Sequence, residues 1–186
     1  QYYTGKYGDR IGDYIDFWIT TERSYTFARF LQSQGKMNAN YGYPFTNVKN
    51  YATQRNEFWR TYLSGADYYY NYALDDTRGT PLGHHERWDL ITYWDSADMT
   101  KGIIENEGSE GFIRGYWDMR YLQTLKDLIA DAETRQINSP VLDGARDFVE
   151  ILDTNMGWYD FKYAMVHHIR LLRNLISGGP VSHTTP

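Results

Sequence analysis

KMNANYGYPFTNVKNYATQRNEFWRTYLSGADYYYNYAL, residues 36–74, decides the fold. Lys36 to Tyr43 reads as a strand, closed by Pro44, which has no N–H to give a ladder. Asn47 can cap a helix. Val48, Tyr51, Ala52, Phe58, Trp59, Tyr62 and Leu63 then recur at helical spacing as one apolar side, so Phe58, Trp59 and Tyr62 are expected in the core. Gly65 is the stop. Ala66 to Leu74 is aromatic or apolar almost throughout, the pattern of a strand buried on both faces. Strand, helix, strand in this order predicts parallel pairing with the helices packed outside the sheet.

Outward from this segment the alternation continues. Ile11 to Thr20, IGDYIDFWIT, places Ile11, Ile15, Phe17 and Ile19 mostly two apart, as in a strand. A polar helical stretch from Arg23 to Gln34 and the break at Gly35 lead from it into Lys36. Downstream, residues 75–101 read as one long loop, and loops of that length are usually functional. Residues 102–178 are helical. Phe112, Met119, Leu122, Leu125, Leu128, Ile129 and Ala132 mark one helix. Ser139 and Pro140 form a cap and first-turn proline ahead of Val141, Leu142, Ala145, Phe148, Val149 and Leu152. Asp160 can cap a last helix carrying Phe161, Ala164, Met165, His168, Leu171, Leu172 and Leu175, stopped by Gly178, Gly179 and Pro180. Residues 179–186 form a tail. The expectation is a single domain, 1–186, with strands and helices alternating over 1–74.

Composition excludes several function classes. The 186 residues carry 19 basic and 24 acidic side chains, a net charge of −5, which argues against nucleic acid or an anionic membrane as the main partner. No stretch approaches the ~20 apolar residues of a membrane span. Cysteine is absent, which removes disulfides, thiol catalysis and thiolate metal sites. The chain opens at Gln1 without Met or signal peptide, the expectation for a trimmed product. His84-His85-Glu86 is not read as a metal site, because adjacent side chains diverge and no partner shows ligand spacing. His168 is expected as a buried, hydrogen-bonded histidine rather than a ligand. Phosphate loops, nucleophile elbows and dinucleotide fingerprints are missing, so no cofactor is expected.

Gly102 to Leu125, GIIENEGSEGFIRGYWDMRYLQTL, carries a resemblance. It is similar to the closing segment of bacterial glycoside-hydrolase-like (β/α)8 barrels, whose pattern runs roughly G-x-I-x-T, then E-G-x-R-E-G-x-x-D-x-R-Y-L-x-T-L. Glu110, Gly111, Gly115, Asp118, Arg120, Tyr121, Leu122, Thr124 and Leu125 fall on it without a gap. Ile113-Arg114 stand where the family has Arg-Glu, so that glutamate's role is not carried over. Tyr41 to Pro44 resembles the family's seventh strand end, Arg55 to Gly65 the helix after it, and Ala66 to Leu74 the eighth strand. The implied fold class is α/β: the C-terminal portion of a (β/α)8 barrel, about three parallel strands with helices, followed by two α-helices. A full barrel needs eight strands and about 250 residues. The resemblance therefore implies a companion fragment, a subunit or a homo-oligomer that completes the barrel.

Barrel enzymes keep their chemistry at the carboxyl ends of the strands, and glycoside hydrolysis takes two carboxyl groups. On this reading Asp16 and Glu22 follow the first strand, Asp75 and Asp76 follow the third, and Glu105, Glu107 and Glu110 precede the long helix. Asp16, Asp75 and Asp76 are the catalytic candidates. The competing reading is a solvated turn or helix cap for the pair, and a strand-end hydrogen bond for Asp16. Tyr41, Tyr43, Tyr72, Trp88 and Trp94 are candidates for stacking on sugar rings, with Glu110 as a further substrate contact. Glu110, Asp118 and Arg120 are explained as well by structural pairing near the start of the helix. Strand four, which carries the acid in related hydrolases, is missing, so a full catalytic pair is not expected in this chain alone. Two functions are carried forward. One is a carbohydrate-active, glycoside-hydrolase-like domain completed by another chain. The other is a non-catalytic structural or sugar-binding subunit of an extracellular assembly. The resemblance implies an extracellular or cell-surface location for both, with carbohydrate as the partner.

Overall fold

The computed structural model describes residues 14–20, 24–42, 51–71, 91–93, 103–105, 107–154 and 161–179. The chain divides into two compact units between Gly115 and Tyr116. Each is taken by itself.

The first unit is mixed α/β. Strand β1 (Phe17–Thr20), helix α1 (Tyr25–Ser33), strand β2 (Met37–Gly42), helix α2 (Tyr51–Leu63) and strand β3 (Tyr68–Asn71) follow in order. The three strands form one sheet in the order β1-β2-β3. Both pairings are parallel, with Phe17 opposite Met37 and Ala39 opposite Tyr68. The expected alternation is therefore present, although each strand starts later than the sequence suggests. Ser24, in extended conformation, accepts from the Phe27 N–H at 3.3 Å and starts α1. Both helices end in the same way. Gly35 (φ +69°) and Gly65 (φ +71°) adopt the left-handed conformation. The N–H groups that follow, of Lys36 and Ala66, reach back to Leu31 O at 2.9 Å and Thr61 O at 3.3 Å, closing the last turn.

Residues 75–101 are not one loop. Strand β4 (Ile91–Tyr93) pairs antiparallel with β5 (Ile103–Glu105), Thr92 facing Ile104. The β-branched run Ile91-Thr92 suits a strand, and the neighbouring glycines and acids obscured it. Helix α3 (Glu107–Thr134) starts a turn and a half earlier than its apolar spacing indicates. Phe112 near its start packs on α2 and β3: the Phe58 ring lies 4.9 Å from both Phe112 and Tyr69. A Cβ at Gly115 would collide with the Phe58 ring, so this glycine permits the close approach of α3 to α2.

The second unit is helical: the rest of α3, α4 (Pro140–Thr154) and α5 (Lys162–Ser177). Ser139 starts α4 as expected. Its Oγ accepts from the Val141 N–H at 3.2 Å and its carbonyl from the Leu142 N–H at 2.9 Å. Leu122, Leu125, Ala132, Val141, Leu142, Ala145, Leu152, Met165, Ile169 and Leu172 are buried, following the three-and-four spacing of the sequence. Arg146 ties the α3 end to α4 through Glu133 at 2.8 Å. Gly178 (φ +71°) ends α5. Asp160 lies outside the described residues. No helix among the described residues is long and apolar enough to cross a membrane.

Two core assignments are corrected. The buried side of α2 is polar: Gln54, Glu57 and Thr61 are buried, with Ser64 just beyond the helix end, while Trp59, Tyr62 and Leu63 are only half-buried. The apolar residues of this helix are spread round too much of its circumference for spacing alone to select the face that meets the sheet. His168 is half-buried and stacked on Phe148, with ring centroids 4.8 Å apart, and its Nδ1 has no hydrogen-bond partner. It is a packed ring, not the hydrogen-bonded histidine expected.

Candidate functional site

The pleat sends alternate residues to opposite faces of the sheet. One face carries Trp18, Asn38, Asn40 and Tyr69 and meets the helices. Trp18 lies edge-on to Phe27 of α1 at 6.0 Å, Asn40 Nδ2 donates to Ser64 Oγ at 2.7 Å, and Tyr69 meets Phe58 of α2. The opposite face carries Phe17, Ile19, Met37, Ala39, Tyr41, Tyr68 and Tyr70. Ile19 is 55% exposed, Tyr68 48% and Tyr70 46%. The third strand is thus covered on one face only, not on both as its sequence suggests.

This bare face has internal order. Ala39 in the middle strand is fully buried, because the larger side chains of the flanking strands close over it. Phe17 of β1 lies 5.7 Å from Tyr68 and 6.2 Å from Tyr70 of β3, both edge-to-face. The result is an aromatic floor with a small residue at its centre. Tyr41, half-buried, lies on the same face and is in register with Tyr70 at the carboxyl end of the sheet.

The helix-facing layer is polar. Asp67 accepts from the Asn38 N–H at 2.8 Å and from Gln32 Nε2 at 3.3 Å, which clamps the start of β3 to β2 and α1. Ser64 Oγ passes the Asn40 bond on to the Thr61 carbonyl at 2.7 Å. Asn38 Oδ1, Asn40 Oδ1, Gln54 Oε1 and Thr61 Oγ1 are buried without a hydrogen-bond partner. Such groups cost about 1–3 kcal/mol each when left unbonded.

The candidate carboxylates scatter. Asp16 stands immediately before β1, not after it. Its carbonyl accepts from the Met37 N–H at 2.9 Å, and its exposed side chain lies at the amino end of the sheet, opposite the end at which barrel enzymes react. The error comes from β1 starting at Phe17 rather than Ile11. Glu57 is held by Arg60 at 3.2 Å. Glu110 pairs with Arg114 one turn on, at 2.7 Å on an open surface. Glu105 belongs to β5 and Glu107 opens α3. Thr20, Tyr41, Gly42 and Asn71, the described residues at the carboxyl strand ends, include no carboxylate. Among the described residues no group of three His, Asp or Glu could hold a metal ion. Glu22, Tyr43, Tyr72, Asp75, Asp76, His84, His85, Glu86, Trp88 and Trp94 lie outside the described residues.

The arrangement can offer flat apolar rings with hydroxyl tips to a ligand or a covering chain; it brings no described acid and base together. Phe17, Tyr68 and Tyr70 escaped the sequence reading. Their alternation with Trp18 and Tyr69 was the available signal, masked by the unbroken run of tyrosines. Comparison with family models, with curated proteins and with solved structures finds no match to this chain.

Proposed function

We propose that this chain is a carbohydrate-active domain of the glycoside-hydrolase-like type, part of a (β/α)8 barrel that another polypeptide completes. The observation that carries the reading is the bare aromatic face of an all-parallel sheet. Parallel sheets occur almost only with both faces covered, and exposed apolar side chains grouped on one sheet face mark a surface that something covers. Resemblance over Gly102 to Leu125 supplies the barrel and the sugar. Position at the strand ends gives Asp75 and Asp76 as acids, and aromatic content gives Tyr41, Tyr43, Tyr72, Trp88 and Trp94 as stacking rings. The extracellular or cell-surface location comes from the resemblance.

One observation favours the second reading, a non-catalytic sugar-binding or structural subunit of an extracellular assembly. The carboxyl strand ends that are described carry tyrosine, threonine, glycine and asparagine, and none of the paired carboxyl groups that glycoside hydrolysis normally takes.

Native mass spectrometry of material isolated from its source, with the Ile19→Lys variant as control, tests the shared core of both readings. A companion chain or further copies should accompany the wild type, and a lysine on the bare face should release them while leaving the chain folded. A monodisperse single copy that melts cooperatively with no companion would sink both. Hydrolysis assays with Asp75→Asn and Asp76→Asn then separate them: loss of turnover selects the enzyme, and sugar binding without turnover selects the binding subunit.

A further inference from the structure

Helix α3 buries Asp118, Leu122 and Leu125 along one side. Its other side shows a feature that folding does not require. Trp117 is 50% exposed and Tyr116 45%, and they sit one turn from Arg120 and Tyr121, where short or charged residues would serve the helix as well. Large rings left in water at neighbouring helical positions mark a surface that binds something.

We infer that Trp117, Tyr121 and Arg120 form a platform for a segment of acidic polysaccharide. This rests on the carbohydrate reading above and names the class of sugar and a second place for it. Residues four apart lie one above the other on a helix. The Trp117 and Tyr121 rings are 6.5 Å apart and tilted by only 39°, so they offer consecutive flat surfaces along the helix axis. Tyr116 stands edge-on to Trp117 at 5.8 Å and forms a side wall. Sugar rings stack their C–H faces on such surfaces.

The charge selects the class. Arg120 lies over the Tyr116 ring at 6.0 Å and donates from Nη1 to the Tyr116 hydroxyl at 3.4 Å. The Tyr116 hydroxyl thus aims the guanidinium, which keeps donors for a bidentate carboxylate. Lys162 Nζ lies 6.0 Å from the Tyr121 ring, so two cations border the rings in a chain whose net charge is −5, and the selection rests on Arg120. A protein partner would use the same residue types but needs about 800 Å² on each side. Toward the carboxyl end of α3 the patch gives way to polar side chains, Gln123 bonded to Asp127 at 2.8 Å and Thr124 to the Arg120 carbonyl at 2.9 Å, and toward the amino end it continues through Ile113, 41% exposed.

Affinity electrophoresis of the full chain in native gels containing polygalacturonate, with dextran gels as the neutral control, tests the platform. Polygalacturonate should retard the wild type. Trp117→Ala and Tyr121→Ala should weaken binding about tenfold, and Arg120→Gln should do so for polygalacturonate without changing any dextran binding. Trp117 and Arg120 are exposed and Tyr121 is half-buried, so circular dichroism checks that each variant stays folded. Absence of retardation in polygalacturonate overturns the proposal. Retardation that survives all three variants also overturns it, yet leaves the carbohydrate reading standing, with the sugar bound elsewhere. A change of oligomer size in Trp117→Ala, in place of a change in retardation, would assign the rings to a second copy of the chain.

Discussion

The two units differ in what they bury: the helical unit's interior is almost all apolar, whereas the sheet unit sets a polar layer beside the buried Phe27, Ala28 and Leu31 of α1. In the helical unit the interior is Leu122, Leu125, Leu142, Leu152, Met165 and Leu172, with apolar meeting apolar. In the sheet unit the layer between β2 and α2 is Asn38, Asn40, Gln54, Glu57, Thr61 and Ser64, while Ile19, Met37, Tyr68 and Tyr70 face outward. The first arrangement stabilises itself by removing apolar area from water. The second hides polar groups at a cost and leaves apolar area exposed. A cover over that outer face would remove further apolar area from water. The comparison separates a half that buries its large apolar side chains from a half that leaves several of them in water.

The largest expected effect tests the half that buries them. Leu142→Ala removes a fully buried side chain and should cost about 2–5 kcal/mol, read as a shift of the urea midpoint. A cost below about 1 kcal/mol would mean that this interior is not packed and that the contrast is false. Next in size is Gly115→Ala, which forces a methyl into the Phe58 ring and should cost about 1–3 kcal/mol. The loss should fall on the Phe58–Phe112–Tyr69 cluster and appear in the near-ultraviolet dichroism of those rings before far-ultraviolet signal is lost. Arg114→Ala, one residue away on the exposed side, is the control. It breaks a surface pair with Glu110 worth about 0–1 kcal/mol.

Legibility in the sequence follows the same divide. The helices of the second unit were readable because apolar residues recur at three and four with polar residues between. Ser139-Pro140 and Gly178 mark helix ends by chemistry that tertiary contacts rarely override. The parallel order of β1, β2 and β3 was readable from alternation with helices. What failed is what a crowded tyrosine content hides. With rings at Tyr68, Tyr69 and Tyr70 alike, period two is invisible, so burial on both faces was inferred where one face is bare. On α2, aromatic residues at Phe58, Trp59 and Tyr62 outweighed Gln54, Glu57 and Thr61 in any hydrophobic count, yet these polar residues face the sheet. Asp16 was set at the wrong end of β1 because the apolar run from Ile11 conceals where pairing begins. The Tyr116–Trp117–Tyr121 row lay inside the most recognisable segment and passed for part of its pattern.

Thr61→Val reverses the usual sign. Its hydroxyl is buried with no hydrogen-bond partner, so replacing it by a methyl of the same shape removes a desolvated polar atom. The variant should be as stable as the wild type or more so, by up to about 1 kcal/mol in the same urea titration. A loss of 1 kcal/mol or more would show that the hydroxyl is bonded in solution, and the polar layer would then be a satisfied network rather than a burden on the sheet unit.

The least perturbing test returns to the helical unit, at its one conspicuous polar ring. His168 is packed on Phe148 at 4.8 Å. Burial first, and the neighbouring His167 second, hold its pKa below the ordinary value of 6.5. The unfolded chain therefore takes up this proton at a higher pH than the folded one. Above pH 6.5 neither state holds the proton and the site contributes its full stability. As the pH falls through 6.5 the unfolded state binds it first, and stability declines until the folded-state pKa has also been passed. His168→Phe keeps a ring against Phe148 and cannot titrate. The difference in urea midpoint between wild type and variant should be constant above about pH 7 and should shift in the variant's favour as the pH falls toward 5. Of the other histidines, His84, His85 and His183 are common to both proteins and cancel. A pH-independent difference would mean that His168 is open to water in solution. The interior of the helical unit would then be looser around α5 than its buried Met165, Ile169 and Leu172 imply, and the contrast between the two units would narrow.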